Sequence, residues 1–461
     1  MPRLSLDRII GIVAGKTTLA ANSLRHTVAS GYSIDTRHLR SGDLFFALQG
    51  EHADGHDFVA DASRKGASAA VVSRPVADAP GDFAQIVVPS PLQALQQLAY
   101  DVRARLRIPV IAVSGSNGKT TTKEMTALVL SARMRVHKSP GNFNNHIGVP
   151  LSILGTEETD QVMVLEMGSN HRGEIQRLCQ MARPDVGVIT NVGQAHVGLF
   201  GSLESVALEK TDLARYLSPG GKVLVNSDDS RLMSALKDVD VPMVRFGLKE
   251  DAAFRATEVK SIDGSGIEFT IDDIRVALKV PGEHNVYNAL AALATSSLFG
   301  ISAREAAEIL LRFEPLRMKT AVYAGLVVID DSYNANPDSV KAALEVLSST
   351  KGLRKLLVLG EMLELGGESE KLHREVGSWV AASGIDMLVG IGGLTSRAVA
   401  QARESGMPAE GALFFDTKAE AKRHLQRVLR QGDAILVKGS RMTGLEEICD
   451  FLKQATVEGR I

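Results

Sequence analysis

Short, almost wholly apolar runs punctuate this chain, each followed within a few residues by Gly, Asn, Asp or Ser. They include Val110–Val113, Val162–Leu165, Val186–Ile189 and Val223–Val225, then Val327–Ile329, Leu356–Leu359, Met387–Val389 and Ala434–Val437. A strand that is apolar on both faces must be covered on both faces, and the helix-like stretches between most of these runs can do the covering. The pattern predicts the α/β class, with parallel sheets that gather ligands at the carboxyl ends of their strands. At 461 residues, about three domains are expected. The first hundred or so residues are mixed and turn-rich, and predict a small α/β domain over 1–106. A linker near Arg107–Pro109 leads into a central parallel-sheet domain over 107–315. A break near Phe313–Met318 opens a Rossmann-like C-terminal domain over 316–461.

The formal net charge of −2 gives no broad attraction to nucleic acid or to a membrane surface, so an anionic substrate needs local basic groups. The two cysteines, Cys179 and Cys449, form no CxxC pair, which argues against a disulfide framework or structural zinc and for a reducing compartment. Met1 to Gly15 lacks the apolar core of a signal peptide, and no run is long enough to span a bilayer. A cytoplasmic chain without membrane insertion is expected.

The most specific local signal is Ser114-Gly115-Ser116-Asn117-Gly118-Lys119-Thr120-Thr121, directly after an apolar strand. Glycines let successive N–H groups turn toward phosphate oxygens, and a helix start behind them adds partial positive charge. Lys119, expected on an exposed loop, would reach the terminal phosphates of ATP, and the Thr120 hydroxyl would ligate Mg²⁺. The loop is shorter between its glycines than the general GxxxxGK[ST] pattern. Glu166 and His196 each follow a later strand. The carboxylate suits Mg²⁺, whereas the imidazole better suits Mn²⁺ or a mixed site. Either could instead be an ordinary strand-end group.

Together, Ser114–Thr121, Glu166 and Asn191–His196 resemble the ATP site of the Mur ligases, which build the peptide stem of peptidoglycan. The resemblance covers nearly the whole chain. It includes Gly141–Pro150 after the phosphate-loop helix, Pro281–Asn288 at an adenine-side helix start, Asp330–Ser339, Leu359–Gly366 followed by His373 and Gly377, and Lys438–Arg441. The Asp-Asn-Pro-Arg motif that selects a diamino acid in one branch of the family is absent. The motifs point to the branch that adds a D-alanyl-D-alanine dipeptide to UDP-N-acetylmuramoyl-tripeptide by way of an acyl phosphate. Two positions depart from the family pattern: its usual Gly-Arg reads Leu316-Arg317, and its Lys-x-Glu reads Lys210-Thr211-Asp212.

The resemblance implies roles residue by residue. Gly115, Ser116, Asn117, Gly118, Lys119, Thr120 and Thr121 would hold the ATP phosphates. Asn285 and Asn288, one helical turn apart, would read the adenine edge; N-cap chemistry at a helix start after Pro281-Gly282 is the alternative, and the two are compatible. Arg317 would touch the γ-phosphate and Asp331 a ribose hydroxyl. Thr36 and Arg37 would contact the UDP end, and Asn142 and Asn145 the sugar or metal region. Tyr333, Asn334 and Asn336 would shape the nucleotide or amine pocket, though Asn334–Ser339 also reads as a turn into an N-capped helix. Thr120, Glu166, His196 and a carbamylated Lys210 would hold the metal. Without the resemblance, Lys210 would read as a solvated helical charge. A monomer is expected. A folylpolyglutamate-synthetase-like ligase and a non-catalytic nucleotide-sugar-binding regulator are the alternatives. The N-terminal domain speaks against the first, and the intact Lys119, Thr120, Glu166, His196 and Lys210 against the second.

Overall fold

The computed structural model describes residues 3–19, 26–51, 53–262 and 265–459. Each apolar run named above lies within a strand, and these strands are buried almost throughout. The central sheet has nine strands. Its parallel part runs in the order Val136–Lys138, Val162–Glu166, Val110–Ser114, Val186–Ile189, Lys222–Asn226, Met243–Gly247 and Phe254–Ile262. Two antiparallel strands, Gly266–Ile271 and Ile274–Leu278, extend its edge. This meander was not legible as a parallel-sheet element, because Phe254–Ile262 buries only one residue outright.

The third sheet has six strands. Lys319–Tyr323 pairs antiparallel with Leu326–Asp331. The parallel set then continues through Ala434–Lys438, Lys355–Gly360, Met387–Ile391 and Ala412–Phe415. The N-terminal region forms a five-stranded sheet ordered Lys16–Thr17, Gln85–Val87, Ala69–Val72, Asp43–Phe46, Gly31–Ser33, parallel except for the first pair.

The N-terminal region shares its core with the central one. Helix Pro91–Arg105, capped by the Ser90 hydroxyl with proline in its first turn, buries Leu95, Leu98 and Val102. These join Phe46 and Val71 on one side and Val149, Ile153 and Leu178 on the other in one apolar cluster. The opposite face of the central sheet has its own cluster. There helix His284–Ser297, with Ala289, Ala291, Ala292 and Ala294 buried, packs on the phosphate-loop helix Lys119–Leu130. Small side chains let the two helix backbones approach, which brings Asn288 onto the phosphate loop.

Candidate active site

The carboxyl ends of the central and C-terminal parallel strands face one another across a cleft of about 1040 Å³. Ser114, Glu166 and Asn226 end strands on the central side; Asp331 and Lys438 end strands on the other. Of the residues singled out from sequence, the cleft is lined by Ser116 through Thr121, Asn145, Glu166, His196, Asn285, Asn288, Arg317, Asp331, Tyr333, Asn334 and Asn336.

The phosphate loop has the geometry its glycines predict. Gly115 has φ +138° and Gly118 φ +79°. A Cβ on Gly115 would lie 2.0 Å from Thr190 Oγ1, and one on Gly118 2.4 Å from Asn288 Oδ1. Lys119 is not on an exposed loop, contrary to expectation. It is half-buried, and its Nζ donates to the Gly115 and Ser116 carbonyls at 2.8 and 3.0 Å. Loss of hydration pulls its pKa down to about 8, with Glu166 opposing the shift and Arg317 adding to it.

The donor set fits a divalent cation. Thr120 Oγ1 and Glu166 Oε2 are both buried without a hydrogen-bond partner, while Glu166 Oε1 accepts from Asn144 Nδ2 at 2.8 Å. Buried oxygens without a hydrogen bond are uncommon unless something else satisfies them, and the Lys123 ammonium, 3.8 Å from Glu166 Oε2, is beyond hydrogen-bond reach. Among the described residues, no three His, Cys, Asp or Glu side chains converge as a ready metal cage. Any ion here would therefore rest on Thr120, Glu166 and groups other than carboxylates. His196 lines the cleft, but its Nδ1 is held by the Glu364 carboxylate of the third domain.

Lys210 lies behind this wall, almost fully buried, and is not solvated. Its Nζ donates to Ser169 Oγ at 2.8 Å and stands 5.6 Å above the Phe200 ring. Burial pulls its pKa down to about 7; Lys119 lowers it further, and Glu209 and Glu174 oppose. Asp212, where the family pattern has Glu, pairs with Arg172 and Arg215 at 3.5 and 3.7 Å.

Several predicted residues already have structural partners. Asn285 Nδ2 donates to the Pro281 carbonyl at 2.7 Å, and Asn288 bridges Asn285 and the Thr122 hydroxyl. Asp331 pairs with the buried Lys438 at 2.5 Å. Arg317 stacks on Tyr333 at 4.0 Å. Asn334 Oδ1 accepts from the Ala335 N–H at 2.9 Å. Asn336 caps helix Pro337–Ser349 in a capping box, so the turn-and-cap reading of that segment holds. Its Nδ2 also donates to Asn117 Oδ1 of the phosphate loop at 2.9 Å.

Besides Gly115 and Lys210, which do not line the cleft, three candidates stand away from it. Arg37 is exposed and clamped on Asp35, Thr36 is buried against Asp61, and Asn142 is exposed. The neighbouring Asn144, rather than Asn142, reaches Glu166. Sequence reasoning missed Asn144, Asp338, Glu364 and Lys438 as individual residues. Their motifs were visible, but which of their side chains point inward depends on turn register and on packing between domains.

The fold and site together define a three-domain, phosphate-loop nucleotide-binding enzyme, with the third domain covering the loop. The chain belongs to the Mur ligase family. Residues 29–103 match the family's catalytic-domain pattern, 113–296 its middle domain, and 312–441 its glutamate ligase domain. A UDP-N-acetylmuramoyl-tripeptide–D-alanyl-D-alanine ligase of Bacillus subtilis (strain 168) is 38% identical over 439 residues, 94% of this chain and 95% of the relative. The crystal structure I of MurF from Acinetobacter baumannii superposes with a TM-score of 0.87 at 32% identity, covering 98% of this chain and 99% of that one. A MurF ligase from Thermotoga maritima in complex with ADP has a TM-score of 0.78 at 27% identity, covering 93% and 98%. Among the described residues, no helix is long and apolar enough to cross a membrane.

Proposed function

We propose that this protein is an ATP-dependent ligase that joins D-alanyl-D-alanine to UDP-N-acetylmuramoyl-tripeptide during synthesis of the peptidoglycan precursor. It acts as a monomer in the cytoplasm. The observation that carries this reading is the third-domain segment Asp330–Ser339 seated directly on the phosphate loop, through Asn336 and Asn117. In this reading residues 1–106 hold the UDP end through Thr36 and Arg37, 107–315 hold ATP, and 316–461 bring the dipeptide.

A carboxylate oxygen at the third stem residue attacks the γ-phosphorus, and the bond to the β–γ bridging oxygen breaks, leaving ADP. The dipeptide amine then attacks the acyl carbon. The tetrahedral intermediate loses a proton from nitrogen and expels phosphate, which leaves the amide. Lys119 and Arg317 counter the charge spreading over the transferring phosphoryl oxygens. Asn285 and Asn288 support the adenine side, Asp331 the ribose, and Asn142, Asn145, Tyr333, Asn334 and Asn336 the acyl and amine ends. Mg²⁺, with Mn²⁺ as a substitute, would be held by Thr120, Glu166, His196 and the carbamate of Lys210, and would polarise the phosphate oxygens. A buried amine with a pKa near 7 is substantially neutral at physiological pH, as CO₂ addition requires. The covering third domain excludes water from the acyl phosphate.

Phosphate release measured with each substrate omitted in turn tests the reading. Release should require ATP, the tripeptide nucleotide and D-alanyl-D-alanine together, and Lys119→Ala should abolish it while the circular dichroism spectrum is kept. Release driven by a single diamino acid on the dipeptide nucleotide would reassign the reaction.

A further inference from the structure

The segment Gln194–Gly198 of the central domain is gripped by the third domain at several points. The Gln194 N–H donates to Asp338 Oδ2 at 2.7 Å, and the Gly198 N–H donates to the Glu364 carbonyl at 3.1 Å. Val197 packs against the third domain's apolar core. The His196 ring meets the Glu364 carboxylate through Nδ1. Backbone meets backbone at Gly198 and Gly366, where a Cβ on Gly198 would lie 2.2 Å from Gly366 N. His196 and Glu364 both adopt left-handed backbone, with φ +59° and +64°, a conformation uncommon in non-glycine residues.

We infer that Glu364 is a positioning residue, which orients His196 from across the domain boundary and so makes cation binding depend on closure of the third domain. This rests on the reading of His196 as a cation ligand. The His196–Glu364 pair lies at the rim, with side chains 21% and 46% exposed, where an ion pair adds little stability by itself. Its effect is therefore on orientation. A carboxylate on Nδ1–H fixes the tautomer that leaves the lone pair on Nε2, and removing such a partner typically weakens metal binding about 10–100-fold. Because Glu364 arrives only with the third domain, separating the domains removes the orienting group. By linkage, cation binding must in turn favour the closed contact.

The test is Mn²⁺ titration followed by electron paramagnetic resonance on the ADP-saturated protein, which does not turn over. Glu364→Ala should raise the Mn²⁺ Kd about 10–100-fold, and Glu364→Gln, which can still accept from Nδ1–H, should recover part of the loss. Gly198→Ala keeps the Glu364 carboxylate in the chain but forces the two backbones apart, and should weaken Mn²⁺ binding as well. The double variant should lose less than the two single losses combined, because both act through one contact. Parental affinity in Glu364→Ala and Gly198→Ala, alongside weakened binding in His196→Ala, would overturn the linkage and leave the cation site standing. Parental affinity in His196→Ala would overturn both.

Discussion

At Gly118 the phosphate loop has no room for a side chain. The residue is left-handed, and a Cβ would press on the Asn288 oxygen that accepts from Thr122. Gly118→Ala should cost about 1–2 kcal/mol in backbone strain alone and disturb the junction of the two buried helices. The expected result is a clear loss of ADP affinity by calorimetry, with a lowered Tm. Lys210 is constrained differently. Lys210→Ala should lose activity, and acetate should restore part of it by filling the vacated anion position; undiminished activity in CO₂-free buffer would end the carbamate role. The unmodified amine also makes a stability prediction. Below about pH 7 both folded and unfolded states hold the proton, and the full cost of burying the ammonium is present. From there up to the ordinary lysine pKa the unfolded chain binds a proton that the folded chain lacks, so raising the pH stabilises the fold. In CO₂-free buffer the Tm difference between Lys210→Met and the parent should shrink as pH rises from 7 to about 10.

Among the elements, helix Pro337–Ser349 shows how one side chain serves structure and site together. Asn336 caps it, accepting from the Ser339 N–H at 2.9 Å while touching Asn117. Asn336→Ala should lower stability by about 1 kcal/mol through the lost cap, read in thermal melts. It should also weaken ADP binding, whereas Asn336→Asp, which keeps the cap but not the amide donor, should affect chiefly the nucleotide. This helix start was legible in the amino-acid sequence, because Asn-Pro followed by Ser is local chemistry. The buried parallel strands were legible for a related reason: covered on both faces, each is a continuous apolar run. The edge meander was not, because partly exposed strands such as Phe254–Ile262 interleave polar residues and lose that signature. The phosphate loop was readable because its glycines and the Gly118-Lys119-Thr120 triplet sit between an apolar strand and a helix start. The partnership of Glu364 with His196 was not, since 168 residues separate them and only domain packing joins them.

At the scale of the molecule, two sets of strand ends face each other across one cleft, and the third domain reaches the phosphate loop through Asn336 and the segment Gln194–His196 through Asp338 and Glu364. That arrangement suits a reaction with a water-sensitive intermediate assembled between domains. In the proposed reaction the stem carboxylate is activated by phosphorylation and then captured by D-alanyl-D-alanine. Mass spectrometry with the terminal carboxylates of the tripeptide nucleotide labelled with ¹⁸O tests it most directly. The product nucleotide should be heavier by the dipeptide residue, and the released phosphate should carry one ¹⁸O, since the oxygen that attacked phosphorus leaves with it. Unlabelled phosphate, or no product from D-alanyl-D-alanine, would rule out this sequence of steps.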